Sequence, residues 1–555
     1  MSDKTYKTIL GERVKRFIVL LLLCLGVAIR ICNYLKDQSF WLDESYVAFQ
    51  IVNRSWSHIL RFIPILPDQP QSPLFFICIN KVNVALFGNH EMALRLFPLT
   101  AGVLSLILFY FYTKKHFSRF VQMIAMMYMS FSGYLIYYSV ELKPYSSDVL
   151  ATLLLLWVFD LMRRNNYNKR YHLLFGMTAL VSLWLSNATL FVYPPLALVV
   201  FVILIKRFNK REMIVCLAVN LAWVKNFFML HEKVLQNMVT NDYILDMYRG
   251  FHAFPSSYDW GEVSAWFLKS TLNMLGDPVG FGHPVLAASL FVLGCYLLFR
   301  QDKTLLYVFI SPIVLLIIMA IAQKYPYWRR LILFISPVVY MIISVGLGHF
   351  FSRKNKIYSV IGLILFFLIS GHFFALFWQK AVQTRIKTEN RQSLVHLKNH
   401  IQPEDVILLN QSAQYPFMYY LNSLDIVSQI QQVHEPNPHG AFYLNNIIRM
   451  NDHLSSRKGQ TFMWGRHEYY IFGYDGYLKK AIHRSEDEEL YQFNRNSIRF
   501  FKGRRVWLYL SHYRPDVKDF LLSIFNANAK CVQSYDGEEA AVFLYSFESA
   551  GDEET

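Results

Sequence analysis

Charge is scarce in this chain. Asp, Glu, Lys and Arg make up 17% of its 555 residues, where soluble domains carry about 25%. That deficit excludes a disordered chain and an ordinary soluble enzyme. The six cysteines, Cys24, Cys32, Cys78, Cys216, Cys295 and Cys531, form no CxxC pair and no Cys/His metal spacing. Neither a disulfide framework nor a zinc site is therefore indicated. No glycine-rich phosphate cradle is evident, and no Lys/Arg run with interleaved aromatics suggests a nucleic-acid groove. Fixed-period repeats and low-complexity tracts are lacking too. What fills the chain is apolar: 54% of residues are hydrophobic, and aromatics reach 17%, with 46 Phe, 35 Tyr and 11 Trp. This composition indicates a polytopic membrane protein.

The net charge of +16 is unevenly placed. Residues 380–555 hold 20 basic and 21 acidic residues, so the basic excess belongs wholly to residues 1–379. Such a split fits loop topology and anionic headgroups rather than nucleic acid. Eleven apolar segments are long enough, or nearly so, to cross about 30 Å of hydrocarbon: 17–35, 91–112, 119–138, 144–162, 172–187, 188–205, 213–230, 283–299, 304–322, 329–350 and 357–378. No small-x-small cleavage chemistry follows the first, which reads as a retained span. Only Ser186–Thr189 separates the fifth from the sixth.

With the N-terminus in the cytoplasm, alternate short loops carry 21 basic residues, including Lys114-Lys115, Arg163-Arg164, Lys206-Arg207 and Arg353-Lys354. The positive-inside rule then places the first long loop (36–90), the second (231–282) and everything after 378 outside the cytoplasm. Val47–Ile63 and Leu74–Phe87 read as amphipathic stretches lying in the interface. The expected fold is a polytopic α-helical membrane protein of about eleven transmembrane helices. Residues 1–379 form its membrane module. Residues 380–555 form an extracytoplasmic α/β domain, with strands at Val406–Asn410 and Arg505–Ser511 and a helix at Gln392–His400.

The strongest local signal is Phe40-Trp41-Leu42-Asp43-Glu44-Ser45-Tyr46. Two adjacent carboxylates follow the first span almost at once. One can accept a proton from an acceptor hydroxyl or amine while the other holds a divalent metal or orients the first. Equally, Asp43 can cap a helix whose first turn contains Glu44.

In the form Trp-x-Asp-Glu-x-Tyr-x-Ala, this stretch resembles the first extracytoplasmic loop of the GT-C glycosyltransferases. The similarity is to the bacterial protein mannosyltransferase-like and lipid A aminoarabinose transferase-like branch. More of the pattern follows in order: Gln69-Pro70-Gln71-Ser72-Pro73-Leu74-Phe75-Phe76, Phe87-Gly88 through Arg95-Leu96, Ser139-Val140-Glu141-Leu142-Lys143-Pro144-Tyr145, and Tyr327-Trp328-Arg329-Arg330 through Pro337. Lys143 stands where Arg is common, and Ser72-Pro73 replaces a double proline.

The resemblance implies a polyprenyl-phosphate-sugar donor and an inverting transfer to a lipid, glycan or protein acceptor. The reaction would take place at the outer face of the cytoplasmic membrane. It implies Asp43 as general base, with Glu44 second. The leaving group is an anionic lipid phosphate, for which Arg329 and Arg330 are suitable guanidinium clamps and Lys143 a weaker cation. Both arginines can instead be interfacial anchors at a helix start. Glu141 can assist or pair with Lys143. Asp68 can ligate a metal or be a solvated loop charge. The rival expectations are a transporter or flippase and a non-catalytic glycolipid-binding scaffold. Against transport, the carboxylates cluster in outside loops rather than at the midplane, and no duplicated halves are visible.

Overall fold

Long apolar runs can cross a bilayer only as helices that satisfy their own backbone, and the described residues up to 383 are mostly helical. The computed structural model describes residues 3–62, 71–207, 210–236, 242–352, 355–383, 386–402, 405–423, 462–464, 467–472, 501, 503–513 and 515–547. Asp68 lies outside them. The chain divides into two compact units. The first comprises Met1–Lys36, Asp68–Asn83 and Arg95–Arg385; the second comprises Asp37–Pro67, Val84–Leu94 and Ile386–Thr555. The second unit thus unites most of the first long loop with the C-terminal region.

Within the first unit lie α1 (Asp3–Tyr34), α4 (Leu74–Phe87, to Asn83), α5 (Glu91–His116, from Arg95), α6 (Arg119–Phe131), α7 (Gly133–Tyr138), α8 (Tyr145–Arg164), α9 (Lys169–Leu185), α10 (Thr189–Lys206) and α11 (Lys210–Leu230). They are followed by α12 (Asp242–Gly250), α13 (Trp260–Gly276), α14 (Pro284–Gln301) and α15 (Lys303–Ile321). A 3₁₀ turn, Arg329–Ile335, runs into α16 (Ser336–Ser352), and α17 (Lys356–Phe377) closes the series.

Among the described residues, nine helices are long and apolar enough to cross a membrane. The other two expected spans also have helical counterparts. The 119–138 segment is broken at Ser132, which caps α7 by accepting the Leu135 amide at 3.3 Å. The 172–187 segment corresponds to α9, of 17 residues.

Residues Ser336–Gly348 of α16 are all buried, which makes it the central helix of this unit. It meets α14 through small residues: a Cβ on Gly294 would lie 2.1 Å from the Ile342 carbonyl oxygen, and one on Gly346 2.2 Å from that of Leu290. Close helix approach of this kind is common where dispersion rather than hydrophobic expulsion drives association. The peripheral helices present apolar side chains outward, as at Phe17, Ile214, Val292 and Phe367.

An arginine this close to a span end ordinarily snorkels to the interface or pairs with a carboxylate; Arg30 does neither. It is buried, and its guanidinium donates to the carbonyls of Gly26 (2.8 Å), Met129 (3.1 Å) and Ser130 (3.3 Å). The last two are carbonyls left without intrahelical partners at the end of α6, where the helix dipole also favours a cation. Arg30→Met keeps the reach but no donor. It is expected to lower stability by about 2–3 kcal/mol, read as a fall in the thermal midpoint of the detergent-purified protein.

The second unit contains α2 (Leu42–Asn53), α3 (Trp56–Leu60), the first turn of α5, α18 (Asn390–His400), α19 (Gln414–Ser423) and α20 (Pro515–Asn526). Its strands β1 (Val406–Asn410), β2 (Phe462–Trp464), β3 (His467–Phe472), β4 (Arg505–Ser511), β5 (Lys530–Gly537) and β6 (Ala540–Ser546) form one sheet of order β2-β3-β1-β4-β6-β5. β3, β1 and β4 are parallel; the outer pairings are antiparallel. Leu408, Val506, Leu508, Leu510, Leu521, Phe525, Phe543 and Tyr545 build the core between sheet and helix. At the carboxyl ends of β1 and β4, the Asn410 side-chain amide exchanges two 3.0 Å hydrogen bonds with the Ser511 backbone.

Candidate active site

The adjacent acids of the second unit differ in environment. Trp41 is extended at the N-cap of α2, and Glu44, three residues on, accepts the Trp41 amide at 3.4 Å. This is the reciprocal half of a capping box. Glu44 is fully buried, with Lys387 Nζ at 4.0 Å. Asp43 is only partly buried. Glu44 therefore performs the capping role, and Asp43 is the more accessible carboxylate.

The candidate residues of the first unit fall into two groups. In the turn between α7 and α8, Glu141 is buried and the Lys143 amide donates to its carbonyl at 2.7 Å. Arg330 lies over the Tyr145 ring at 5.8 Å, and both Glu141 and Arg330 are within electrostatic reach of Tyr138. The structure thus gathers Glu141, Lys143 and Arg330 at one end of α8.

Arg329 goes elsewhere. Its side chain is 59% exposed, stacks on Trp328 at 4.9 Å, and places Nε 3.3 Å from Asp277 Oδ2. Its backbone is left-handed, with φ +34°. For a side chain this large that conformation is strained, and such strain concentrates at functional sites. Arg329 lines a cavity of about 680 Å³ whose polar wall also includes Tyr134, His252, Lys269, Asp277 and His372. Aromatic surface comes from Phe251, Trp266 and Trp328. The guanidinium Nε is taken by Asp277, while the terminal nitrogens remain suited to an anionic oxygen. Among the described residues no group of three or more His, Cys, Asp or Glu converges as a metal site.

A family model described as dolichyl-phosphate-mannose-protein mannosyltransferase matches residues 70–228. The solved structure of ArnT from Cupriavidus metallidurans bound to undecaprenyl phosphate is similar over 95% of this chain and 97% of that one, at 12% identity and a TM-score of 0.50. This chain shares the fold of that structure. The archaeal oligosaccharyltransferase AglB from Archaeoglobus fulgidus, in complex with an inhibitory peptide and a dolichol-phosphate, also matches. There the identity is 13%, the TM-score 0.45, and the coverage 74% of this chain. The chain spans about 60% of that protein's length. No curated protein sequence matches. The family match does not favour the transporter alternative.

Reasoning from sequence missed most of the cavity wall around Arg329. Asp277 follows α13 in Asp277-Pro278-Val279-Gly280, and Tyr134, His252 and His372 come from separate helices or loops. The one local clue was an acid at a helix end before a Pro-x-Gly turn. Burial holds the Asp277 carboxyl above the ordinary carboxylate range, opposed by the Arg329 charge and a hydrogen bond from Tyr134. A raised carboxyl pKa means that folding disfavours the charged form. Stability is accordingly lost as pH rises from the unfolded value, about 3.9, through the folded one. Asp277→Asn is expected to raise the thermal midpoint at pH 7–8 and to leave it unchanged near pH 3. An equal gain at both pH values would refute this account of Asp277.

Proposed function

We propose that this protein is an inverting glycosyltransferase. It moves one sugar from a polyprenyl-phosphate-linked donor to a hydroxyl or amine of a lipid, glycan or protein acceptor. The observation that carries the reading is Arg329: a strained, exposed guanidinium stacked on an indole in a partly aromatic cavity. Such a cavity suits a sugar face on its rings and a phosphate on its cations. The undecaprenyl phosphate bound by ArnT and the dolichol-phosphate bound by AglB are of the same chemical class as the proposed donor.

In the proposed reaction Asp43 takes the proton of the acceptor nucleophile as its oxygen or nitrogen attacks the anomeric carbon. The bond from that carbon to the phosphate oxygen breaks with inversion. The departing polyprenyl phosphate carries the added negative charge, which Arg329 stabilises with its terminal nitrogens. Arg330, Lys143 and Glu141 tune the electrostatics at the start of α8. Membrane lipids solvate the donor tail. The reaction is assigned to the outer face of the cytoplasmic membrane, with the N-terminus in the cytoplasm and the C-terminal domain outside. A divalent ion is not required by this scheme; Asp68 and Glu141 are the carboxylates proposed to hold one where it binds.

Mass spectrometry of lipid-linked and envelope glycans from cells with and without the protein tests the proposal. A single-sugar increment present only with the protein identifies donor and acceptor together. Identical glycan profiles, with an altered distribution of a lipid-linked substrate across the membrane, would replace the transferase by a flippase.

A further inference from the structure

The segment that leads into the acid pair has almost no internal hydrogen-bond ladder between Asp37 and Trp41, yet Phe40 is completely buried. Buried backbone groups need partners; besides a long 3.5 Å contact from the Ser45 hydroxyl to the Phe40 carbonyl, they come from 350 and 380 residues further along the chain. The Phe40 amide donates to the Tyr420 hydroxyl at 2.7 Å, and the Asn390 side chain donates to the Phe40 carbonyl at 3.0 Å. Tyr509 donates to Asn390 Oδ1 at 2.7 Å, fixing that amide in turn. Ser39 donates to Gln392 at 2.7 Å, and the Trp41 indole to His512 Nδ1 at 3.1 Å.

A charged relay completes the arrangement. The single proton of Tyr420 goes to Glu91 Oε1 at 2.7 Å. Arg391 Nη1 lies 3.4 Å from Glu91 Oε2 and 2.8 Å from Asp37 Oδ2. Glu91 and Tyr420 are buried, so each depends on the others. Bonds arranged in sequence polarise one another, and leaving any buried member unpaired is costly. Both polar groups of Phe40, three residues before Asp43, are therefore set by side chains of α18 and α19.

We propose that α18 and α19 of the C-terminal domain position the segment leading into the acid-bearing first turn of α2, with Arg391 and Tyr420 as the positioning residues. The inference rests on the reading of Asp43 as the base. It gives the C-terminal domain a part in the reaction through loop geometry, whatever else it binds. Displacement of a base by about 1 Å can lower a rate on the order of 100-fold, so a lost hydroxyl in this relay is expected to be visible in turnover.

The test uses the full-length protein in lipid nanodiscs and the same variants in cells lacking the wild-type protein. Hydrogen exchange is followed on peptides covering 37–46 and on strands β1 and β4. Transfer is read as the single-sugar increment per molecule of protein. Tyr420→Phe is expected to raise exchange at the Phe40 amide at least tenfold and to reduce transfer roughly tenfold, with β1 and β4 unchanged. Arg391→Ala should do more, and Arg391→Lys should recover part of the loss. If Arg391→Ala fails to accumulate in the membrane, Tyr420→Phe alone decides the matter. Faster exchange with full transfer, unchanged exchange, or an equal rise throughout the sheet would each overturn the proposal. Asp43→Asn is run alongside: retained transfer there refutes the base assignment. An inactive Asp43→Asn beside a fully active Tyr420→Phe refutes only the positioning role.

Discussion

Asp43→Asn is expected to reduce sugar transfer by on the order of 10²–10⁴-fold, the usual contribution of a positioned general base, while the protein still folds and reaches the membrane. Asn occupies nearly the volume of Asp and is tolerated at helix starts, so α2 should form as before. Glu44→Gln should behave differently. Glu44 is the buried capping partner of Trp41, and its amide counterpart can still accept that bond, so the expected loss of transfer is much smaller. The comparison separates a proton acceptor from a cap. Mass spectrometry of the sugar increment, normalised to protein in the membrane, is the measurement. Undiminished transfer by Asp43→Asn would remove the proposed mechanism.

Arg329→Ala is expected to lower transfer by about 10²–10³-fold, the range seen when one donor to a developing oxyanion is removed. Arg329→Lys keeps the charge without the planar fork and should restore only part of it. The backbone at this position offers a sharper control. With φ at +34°, Arg329→Gly relieves strain and should hold or raise the thermal midpoint while losing transfer as fully as Ala. A purely anchoring arginine would show the reverse, with stability falling and transfer per folded molecule preserved.

The parts legible in the sequence were those whose cause is local. Apolar runs between basic loops were readable because hydrocarbon accepts no other composition. The runs at Val406–Asn410 and Arg505–Ser511 were readable because their β-branched and aromatic residues suit a buried strand. Asp43 and Arg329 stood out through motifs in a fixed order. Arg30 did not: a guanidinium near a span end gives no hint whether it will snorkel or cap another helix, and the approach of α6 decided it. Strand order was equally opaque. Nothing in Val406–Asn410 says that β3 will flank it on one side and β4 on the other.

The sequence by itself determined that the chain crosses a membrane many times and carries acids and arginines at the ends of its apolar segments, since those features answer to solvent and to near neighbours. Only the tertiary structure decided which carboxylate caps and which stays accessible, that Asp277 meets Arg329 in a cavity, and that Tyr420 and Arg391 hold the loop around Phe40. Those outcomes depend on partners from 3 to 380 residues apart, and the energy of each buried polar contact exists only once the fold has excluded water from it.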